Sequence, residues 1–297
     1  MMLIEDLGRI SFRQTIKKVL RPVLPLIYPL KRKLLRHPLS TYIYKHRLLK
    51  SSLLEARERD SLKKINSKIS PNDTMYNGDL EHYYKVGLSA IRCINEVLRQ
   101  AKVESVQNIL YLPCGYGREL RFLIHRFPEA KITACDIDQP AVDFCSETFG
   151  TLAAYSSCEF DEILFDTRFD LIWCGSLITH LNSADTLDLL KLFHRYLVPG
   201  GVLIFTTHGN FVATRVQKQE ETYGLTKENI SILTTSYTEN GYGYADYYPK
   251  QNGYGISITS PDWIRAQIQQ LGGLQEAYFE ERGWDNHHDV FGFFKQA

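Results

Sequence analysis

The stretch Ile109-Leu-Tyr-Leu-Pro-Cys-Gly-Tyr-Gly-Arg118 decides the fold of this chain. Its apolar beginning predicts a short buried strand over Asn108–Leu112. Gly115 and Gly117 predict a tight turn, at which the backbone can approach a ligand closely. From Arg118 to Phe127 the apolar residues have the spacing of an amphipathic helix. A ligand held at such a turn would meet the unpaired N–H groups of a helix N-terminus.

Strand and helix patterns continue to alternate along the chain. Strands are predicted at Lys131–Asp136, Phe169–Cys174, Gly201–Thr207, Leu274–Glu281 and Val290–Lys295, and helices at Asp79–Ala101, Pro140–Thr148, Ala184–Leu197 and after Ser260-Pro261. This order is typical of parallel βαβ units with right-handed crossovers. We therefore predict an α/β fold with a doubly wound, mostly parallel sheet.

The first quarter of the chain has a different composition from the rest. Residues 1–70 carry 17 Lys and Arg against 5 Asp and Glu, whereas the remainder carries 18 against 29. We predict a basic, mainly helical extension over residues 1–75 and a folded domain over 76–297. Within the domain, residues 237–255 are rich in Tyr, Gly and Asn, which predicts an irregular insertion.

The basic arm, residues 1–40, has two interpretations. Its mixture of apolar and basic residues can lie at an anionic membrane surface, where each basic residue contributes roughly 1 kcal/mol. It can equally pack on the domain or on a second subunit of a homo-oligomer. A nucleic acid partner is not expected, because the body is acidic and no RNA-binding module is recognisable. With no signal-peptide pattern and no apolar run of spanning length, we expect a cytoplasmic protein, peripheral to the inner face of the membrane if the arm binds lipid.

A carboxylate follows the glycine turn at a characteristic distance. Asp136 ends the second predicted strand, 19 residues after Gly117, where it can accept both hydroxyls of a ribose. Nicotinamide dinucleotides and S-adenosylmethionine are both bound in this way. A dinucleotide fingerprint requires a third small residue three positions after the second glycine, and Leu120 stands there. The pattern therefore favours S-adenosylmethionine.

Four ordered blocks resemble class I S-adenosylmethionine-dependent methyltransferases. They are Ile109–Arg118, Ile132–Asp138, Phe169–Leu181 and Leu197–Phe205. The resemblance implies seven strands, the last antiparallel and inserted beside the fifth. It also implies cofactor contacts from Pro113, Cys114, Gly115, Tyr116, Gly117, Arg118, Asp136, Ile137, Ser157, Gly175 and Ser176. Tyr111 and Pro113 replace the usual acid and first glycine of the first motif, and Ser156-Ser157-Cys158 replaces an acid in the third.

A narrower resemblance concerns three further segments. Pro113–Arg118, Thr206–Gly209 and Gly283–Asp289 are similar to bacterial methyltransferases associated with surface-glycan assembly. This resemblance implies a glycan or other small-molecule acceptor.

The nucleophile and its base are the next question. The Asn-Pro-Pro-Tyr motif of amine methyltransferases is absent after the fourth strand, where Cys174-Gly175-Ser176 stands, and this favours an oxygen acceptor. A hydroxyl needs a base, because its own pKa is far above neutral. His180, His208 and His287 follow predicted strand ends at the ligand-binding edge of the sheet. Each is a candidate base, and packing is the alternative for each.

No metal site is predicted. His287 and His288 are adjacent in a predicted hairpin, where neighbouring side chains project to opposite faces, so joint ligation of one ion is awkward. The tyrosines Tyr242, Tyr244, Tyr247 and Tyr248 can stack on sugar rings or pack the insertion onto the domain.

Three functions remain open from sequence. The first is O-methylation of a sugar or other small-molecule hydroxyl with S-adenosylmethionine. The second is a non-catalytic partner of a glycosyltransferase that keeps the fold as a binding module, which the altered first motif suggests. The third is an RNA or protein methyltransferase that uses the basic arm.

Overall fold

The computed structural model describes residues 38–50, 54–247 and 254–296. Its centre is a seven-stranded sheet in the order β3-β2-β1-β4-β5-β9-β8. Strands β1 to β5 are parallel, and β9 is antiparallel to both β5 and β8. The strands of the sheet are β1 Asn108–Tyr111, β2 Lys131–Asp136, β3 Leu152–Tyr155, β4 Phe169–Cys174, β5 Leu197–Thr207, β8 Leu274–Trp284 and β9 His288–Lys295. The predicted mostly parallel, seven-stranded α/β fold is confirmed.

Helices lie on both faces of the sheet, and others pack on those helices or on a separate two-stranded hairpin. The helices of the described residues are α1 Pro38–Leu49, α2 Ala56–Lys64, α3 Leu80–Gln100, α4 Leu120–Arg126, α5 Gln139–Phe149, α6 Ser183–Tyr196, α7 Asn210–Gln217, α8 Lys227–Asn240 and α9 Pro261–Leu271. Side chains alternate along β1, so Ile109 and Tyr111 pack with α3, α4 and α5, whereas Leu110 packs with α6 and α9. This alternation explains why the strand is a continuous apolar run.

Part of the basic extension packs against the domain. Leu48, Leu62 and Ile65 are buried in one cluster with Tyr84 of α3 and Phe122 of α4. Residues 1–37 lie outside the described residues, and with them most of the predicted membrane-binding arm. In the part of the chain that the structure describes, no helix is both long enough and apolar enough to cross a membrane. The domain boundary at residue 75 stays a prediction.

The prediction of an irregular insertion over 237–255 is wrong for much of that segment. Its start is the last turn of α8, and strand β6, Tyr242–Asp246, pairs antiparallel with β7, Gly255–Thr259. In β6 the buried Gly243 and Ala245 alternate with half-buried tyrosines, a period-2 pattern that the glycines obscure in the sequence. Tyr248 lies outside the described residues.

Candidate active site

The turn after β1 is closed by its own backbone. The Cys114 N–H donates to the Cys135 carbonyl at 2.9 Å, and the Gly117 N–H donates to the Cys114 carbonyl at 3.0 Å. Both glycines have positive φ, +45° at Gly115 and +77° at Gly117. A side chain at Gly115 would point into open space, whereas a Cβ at Gly117 would lie 2.7 Å from the ring of Phe149. Gly115 therefore faces open space, and Gly117 allows α5 to pack on the turn.

The Asp136 carboxylate is held by two backbone N–H groups. Its Oδ2 accepts from Gly115 at 2.7 Å and its Oδ1 accepts from Asp138 at 3.0 Å. Only 8% of the residue is exposed. Each oxygen keeps a further lone pair, so the oriented carboxylate can accept two hydroxyls, as binding of a ribose requires.

A cavity of about 180 Å³ opens beside Asp136. Pro113, Ile137 and Ser157 line it, as does Ser156 from the altered third motif. The other lining residues were not predicted from sequence and are mostly apolar: Leu112, Cys158, Phe160, Leu177, Leu181, Asp185 and Tyr254. An apolar cavity next to a carboxylate that can accept two hydroxyls has the character that an adenine ring requires.

The remaining predicted cofactor residues lie around the turn and beyond β4. Cys114 is buried, and the Tyr116 ring packs 5.8 Å from that of Phe144. Arg118 donates from Nε to Glu119 at 2.6 Å, and the Tyr111 hydroxyl donates to the same carboxylate. Tyr111 stands where the family usually has an acid, and its hydroxyl binds the carboxylate of an acid eight positions later in the chain. The direct contacts of these residues with cofactor stay predictions.

The end of β4 has an unusual backbone. Ser176 has φ +64°, a left-handed conformation that is uncommon for a residue with a side chain. Its N–H donates to Thr206 Oγ1 at 2.8 Å, which ties the end of β4 to β5. A Cβ at the preceding Gly175 would lie 3.1 Å from the Trp284 ring. The left-handed residue thus lies in the turn between the end of β4 and the loop that carries His180.

His180 is fixed by the hairpin of β6 and β7. Its Nδ1 lies 2.9 Å from the Gly255 carbonyl and 3.2 Å from the Tyr247 hydroxyl. Because a carbonyl only accepts, Nδ1 carries the proton and Nε2 keeps its lone pair. Burial lowers the pKa of His180, and the Gly255 carbonyl opposes that shift. The Tyr254 ring stacks on His180 at 5.1 Å and also lines the cavity beside Asp136, so the histidine lies next to the cofactor side.

The other three histidines form a cluster of their own. His208 follows β5 and is buried, and its ring stacks on that of His288 with centroids 4.9 Å apart. His287 lies edge-on to both rings, at 5.5 Å from His208 and 4.9 Å from His288. The argument against a shared ligand position is therefore wrong. His287 belongs to the turn, where Asp285 and Asn286 both have positive φ, so strand alternation does not apply to it.

The tyrosines of the insertion divide between packing and the site. Tyr242 stacks on Trp263 at 4.6 Å and donates to the Leu181 carbonyl, so it fastens the hairpin to the loop that carries His180. Tyr244 donates to Asp246 within its own strand. Tyr247 contacts His180 through its hydroxyl.

The comparison with protein families decides the nature of the domain. The sequence profile of a methyltransferase domain matches residues 109–201, which contain β1 to β4, the Asp136 site and His180. The chain contains a class I S-adenosylmethionine-dependent methyltransferase domain. The predicted family and cofactor are thus confirmed for this domain.

Two curated relatives each match part of this chain. Both are named malonyl-[acyl-carrier protein] O-methyltransferase. The protein of Priestia megaterium is 26% identical over 43% of this chain and 45% of its own length. That of Bacillus cytotoxicus is 30% identical over 38% of this chain and 39% of its own length. The chain spans less than half the length of these relatives.

Solved structures extend the likeness of fold beyond the profile. An S-adenosylmethionine-dependent methyltransferase from Clostridium acetobutylicum has a TM-score of 0.52 at 14% identity, over 75% of this chain and 97% of that one. An amino pentose methyltransferase from Micromonospora echinaspora, bound to S-adenosylmethionine, has a TM-score of 0.51 at 12% identity over the same shares. At such identities the likeness concerns the methyltransferase fold.

Proposed function

We propose that the protein methylates an oxygen of a small-molecule acceptor, with a sugar hydroxyl as its acceptor class. The observation that carries this proposal is His180. It is a neutral imidazole whose proton is held on Nδ1 by a backbone carbonyl, so Nε2 is ready to accept a proton. An amine acceptor is already nucleophilic when neutral, but a hydroxyl needs such a base.

The roles of the chain's own residues follow from their positions. Asp136 would orient the cofactor by accepting from its ribose, and the cavity lined by Ile137 and Phe160 would hold its adenine away from water. When bound, the cofactor would supply an electrophilic methyl group. His180 would take the proton of the acceptor hydroxyl at Nε2 as that oxygen attacks the methyl group. Tyr254 keeps the imidazole in place by stacking on it.

The acceptor class rests on two further points. The names of the curated relatives specify O-methylation, which supports oxygen as the nucleophile here. Tyr247 and Tyr254 present aromatic rings next to His180, and such rings suit the apolar faces of sugars. The resemblance to surface-glycan methyltransferases agrees with a glycan.

We also propose that the protein is cytoplasmic and that residues 1–40 hold it at an anionic membrane. Binding of the protein to anionic vesicles at low salt tests this role of the arm.

Replacing the base tests the central proposal. We expect His180→Ala to keep its affinity for S-adenosylmethionine but to lower the single-turnover rate on a hydroxyl acceptor by about 10²–10⁴-fold, the usual effect of removing a general base. His194→Ala, on α6, is the matched control. A panel of sugars and a panel of carboxylic acids are assayed by transfer of radiolabelled methyl, since a carboxylate acceptor needs no base.

Each outcome has a distinct meaning. A normal rate for His180→Ala with a sugar acceptor would refute the base assignment. Methylation of carboxylic acids alone, at equal rates in the wild type and in His180→Ala, would contradict the sugar acceptor and would favour an acceptor like that of the curated relatives. Cofactor binding without transfer to any acceptor, in the presence of a partner glycosyltransferase, would support the binding-module alternative.

A further inference from the structure

The histidine cluster, defined as His208, His287 and His288, has the geometry of a metal site. One ring nitrogen from each residue lies within 4.8 Å of the others. Three nitrogens bound to one tetrahedral ion at about 2.0–2.1 Å stand roughly 3.3 Å apart. Small rotations of the two half-buried side chains, His287 and His288, would close that difference.

Two nitrogens of the cluster have no hydrogen-bond partner among the residues that the structure describes. Nδ1 of His208 and Nδ1 of His288 are buried and make no hydrogen bond. Such groups are rare in folded proteins, because an unsatisfied buried polar atom costs about 1–3 kcal/mol. His208 is only 3% exposed, so its Nδ1 is shielded from bulk water. A ligand that accepts electron pairs from both nitrogens would remove this cost.

Burial also acts on the protonation of the cluster. It holds the pKa of both His208 and His288 well below the usual range, and the backbone of Ser257 opposes this shift at His208.

The charges around the cluster are mixed. The positive charge of Arg118 lowers the pKa of His288, and those of Arg215 and Arg282 lower the pKa of His287. These charges also disfavour a cation at the cluster. Glu221 and Asp285 act on His287 in the opposite sense. The Tyr223 hydroxyl lies 2.9 Å from Nε2 of His287 and can hold this ring in position. The ligand set itself contains three neutral imidazoles and no carboxylate, which favours a borderline transition metal over Mg²⁺ or Ca²⁺.

We propose that His208, His287 and His288 bind one divalent transition-metal ion of the zinc class. Three protein ligands leave a fourth position for water or an acceptor oxygen, as in catalytic rather than structural zinc sites. The cluster lies at the same edge of the sheet as His180, because His180 follows β4, His208 follows the parallel strand β5, and His288 begins β9, which runs antiparallel to β5. An ion there would bind an oxygen of the acceptor near the base. This last role rests on the proposed function, but metal binding does not.

The experiment uses the full chain without a histidine tag. After treatment with chelator, the protein is titrated with Zn²⁺ by calorimetry and with Co²⁺ by visible absorption. We expect one equivalent of Zn²⁺, tetrahedral Co²⁺ bands, and a melting temperature that rises with added zinc. His287→Ala and His288→Ala, at the two half-buried positions, should each weaken binding by at least about 100-fold. His125→Ala, on α4, is the matched control and should bind normally.

Two results would overturn the proposal. The first is no binding of Zn²⁺ or Co²⁺ by the chelator-treated wild type at 100-fold excess of metal. The second is binding that His287→Ala and His288→Ala leave unchanged, because the ion would then lie elsewhere. Both readouts are independent of the acceptor, so the failure of the metal site and the failure of the proposed methyl transfer are distinguishable.

Discussion

The candidate site lies at the edge of the sheet where the parallel strands end, and the two halves of this edge are built in different ways. Beside β1 and β2, the cofactor half consists of a turn closed by backbone hydrogen bonds and a carboxylate held by two N–H groups, all within residues 113–138. Beside β4, β5 and β9, the acceptor half consists of side chains from several distant segments, among them His180, Tyr254 and His287. The first half is local in sequence and the second is not.

This difference separates what the domain shares with its relatives from what is its own. The family profile ends at residue 201. It therefore covers the whole cofactor half and His180, but it stops before His208, the β6–β7 hairpin and the turn that carries His287. The parts of the site that would select an acceptor lie beyond the match. Fold and cofactor can be carried over from relatives, whereas the acceptor has to be argued from these side chains.

The largest expected effect tests whether the two glycines of the cofactor half really differ. Gly117→Ala places a Cβ 2.7 Å from Phe149 at a residue with φ +77°, so we expect it to lower the free energy of unfolding by about 2–4 kcal/mol. Gly115→Ala meets no atom within 4 Å and should cost only about 1 kcal/mol. Urea unfolding followed by circular dichroism measures both.

The affinities of Gly115→Ala and Gly117→Ala for S-adenosylmethionine give a second test of the difference between the two glycines. The Gly115 variant fills the open site, so it should bind S-adenosylmethionine at least about 10-fold more weakly, by analogy with overpacking costs of about 1–3 kcal/mol. The folded fraction of Gly117→Ala should bind more nearly as wild type does. If Gly115→Ala binds normally, the open space at this residue is solvent and the cofactor half is placed wrongly.

A smaller effect is expected for the ribose-binding carboxylate. Asp136→Ala leaves two ribose hydroxyls without a charged acceptor, and we expect a loss of about 1–3 kcal/mol in the binding of S-adenosylmethionine. Calorimetry gives the affinity, and Asp143→Ala, an exposed acid on α5, serves as the matched control. Equal affinities for the two variants would mean that Asp136 only closes the turn through Gly115 and Asp138.

The contrast between the cofactor half and the acceptor half also explains which features could be predicted from the sequence and which could not. The position of the glycine turn, the position of Asp136 at the end of β2 and the alternation of strands with helices follow from short-range patterns, and these placements hold in the structure. The contact of His180 with Gly255 spans 75 positions, and no periodicity encodes which loop meets which. No metal site was predicted at His287 and His288 because strand alternation was applied to His287, whereas this residue belongs to a turn in which Asp285 and Asn286 have positive φ. The tyrosine-rich strand β6 was missed because Gly243 within it and Gly241 before it are residues typical of loops.

The smallest expected effect concerns the pH dependence of the acceptor half. A general base acts in its unprotonated form, and burial lowers the pKa of His180 from its ordinary value of 6.5. The rate of methyl transfer to a hydroxyl acceptor should therefore be level from pH 7 upward and decline only below the ordinary histidine range, with less than about a twofold change between pH 7 and 8. In His180→Ala the residual rate should instead rise with pH, because more of the hydroxyl then ionises unaided. His194→Ala, whose histidine lies away from the edge, should keep the wild-type profile. Single-turnover rates at saturating cofactor separate this step from binding. An inflection above pH 6.5 in the wild type, unchanged by His180→Ala, would assign the base to another group and would make the cofactor half the only half of the edge whose chemistry is understood.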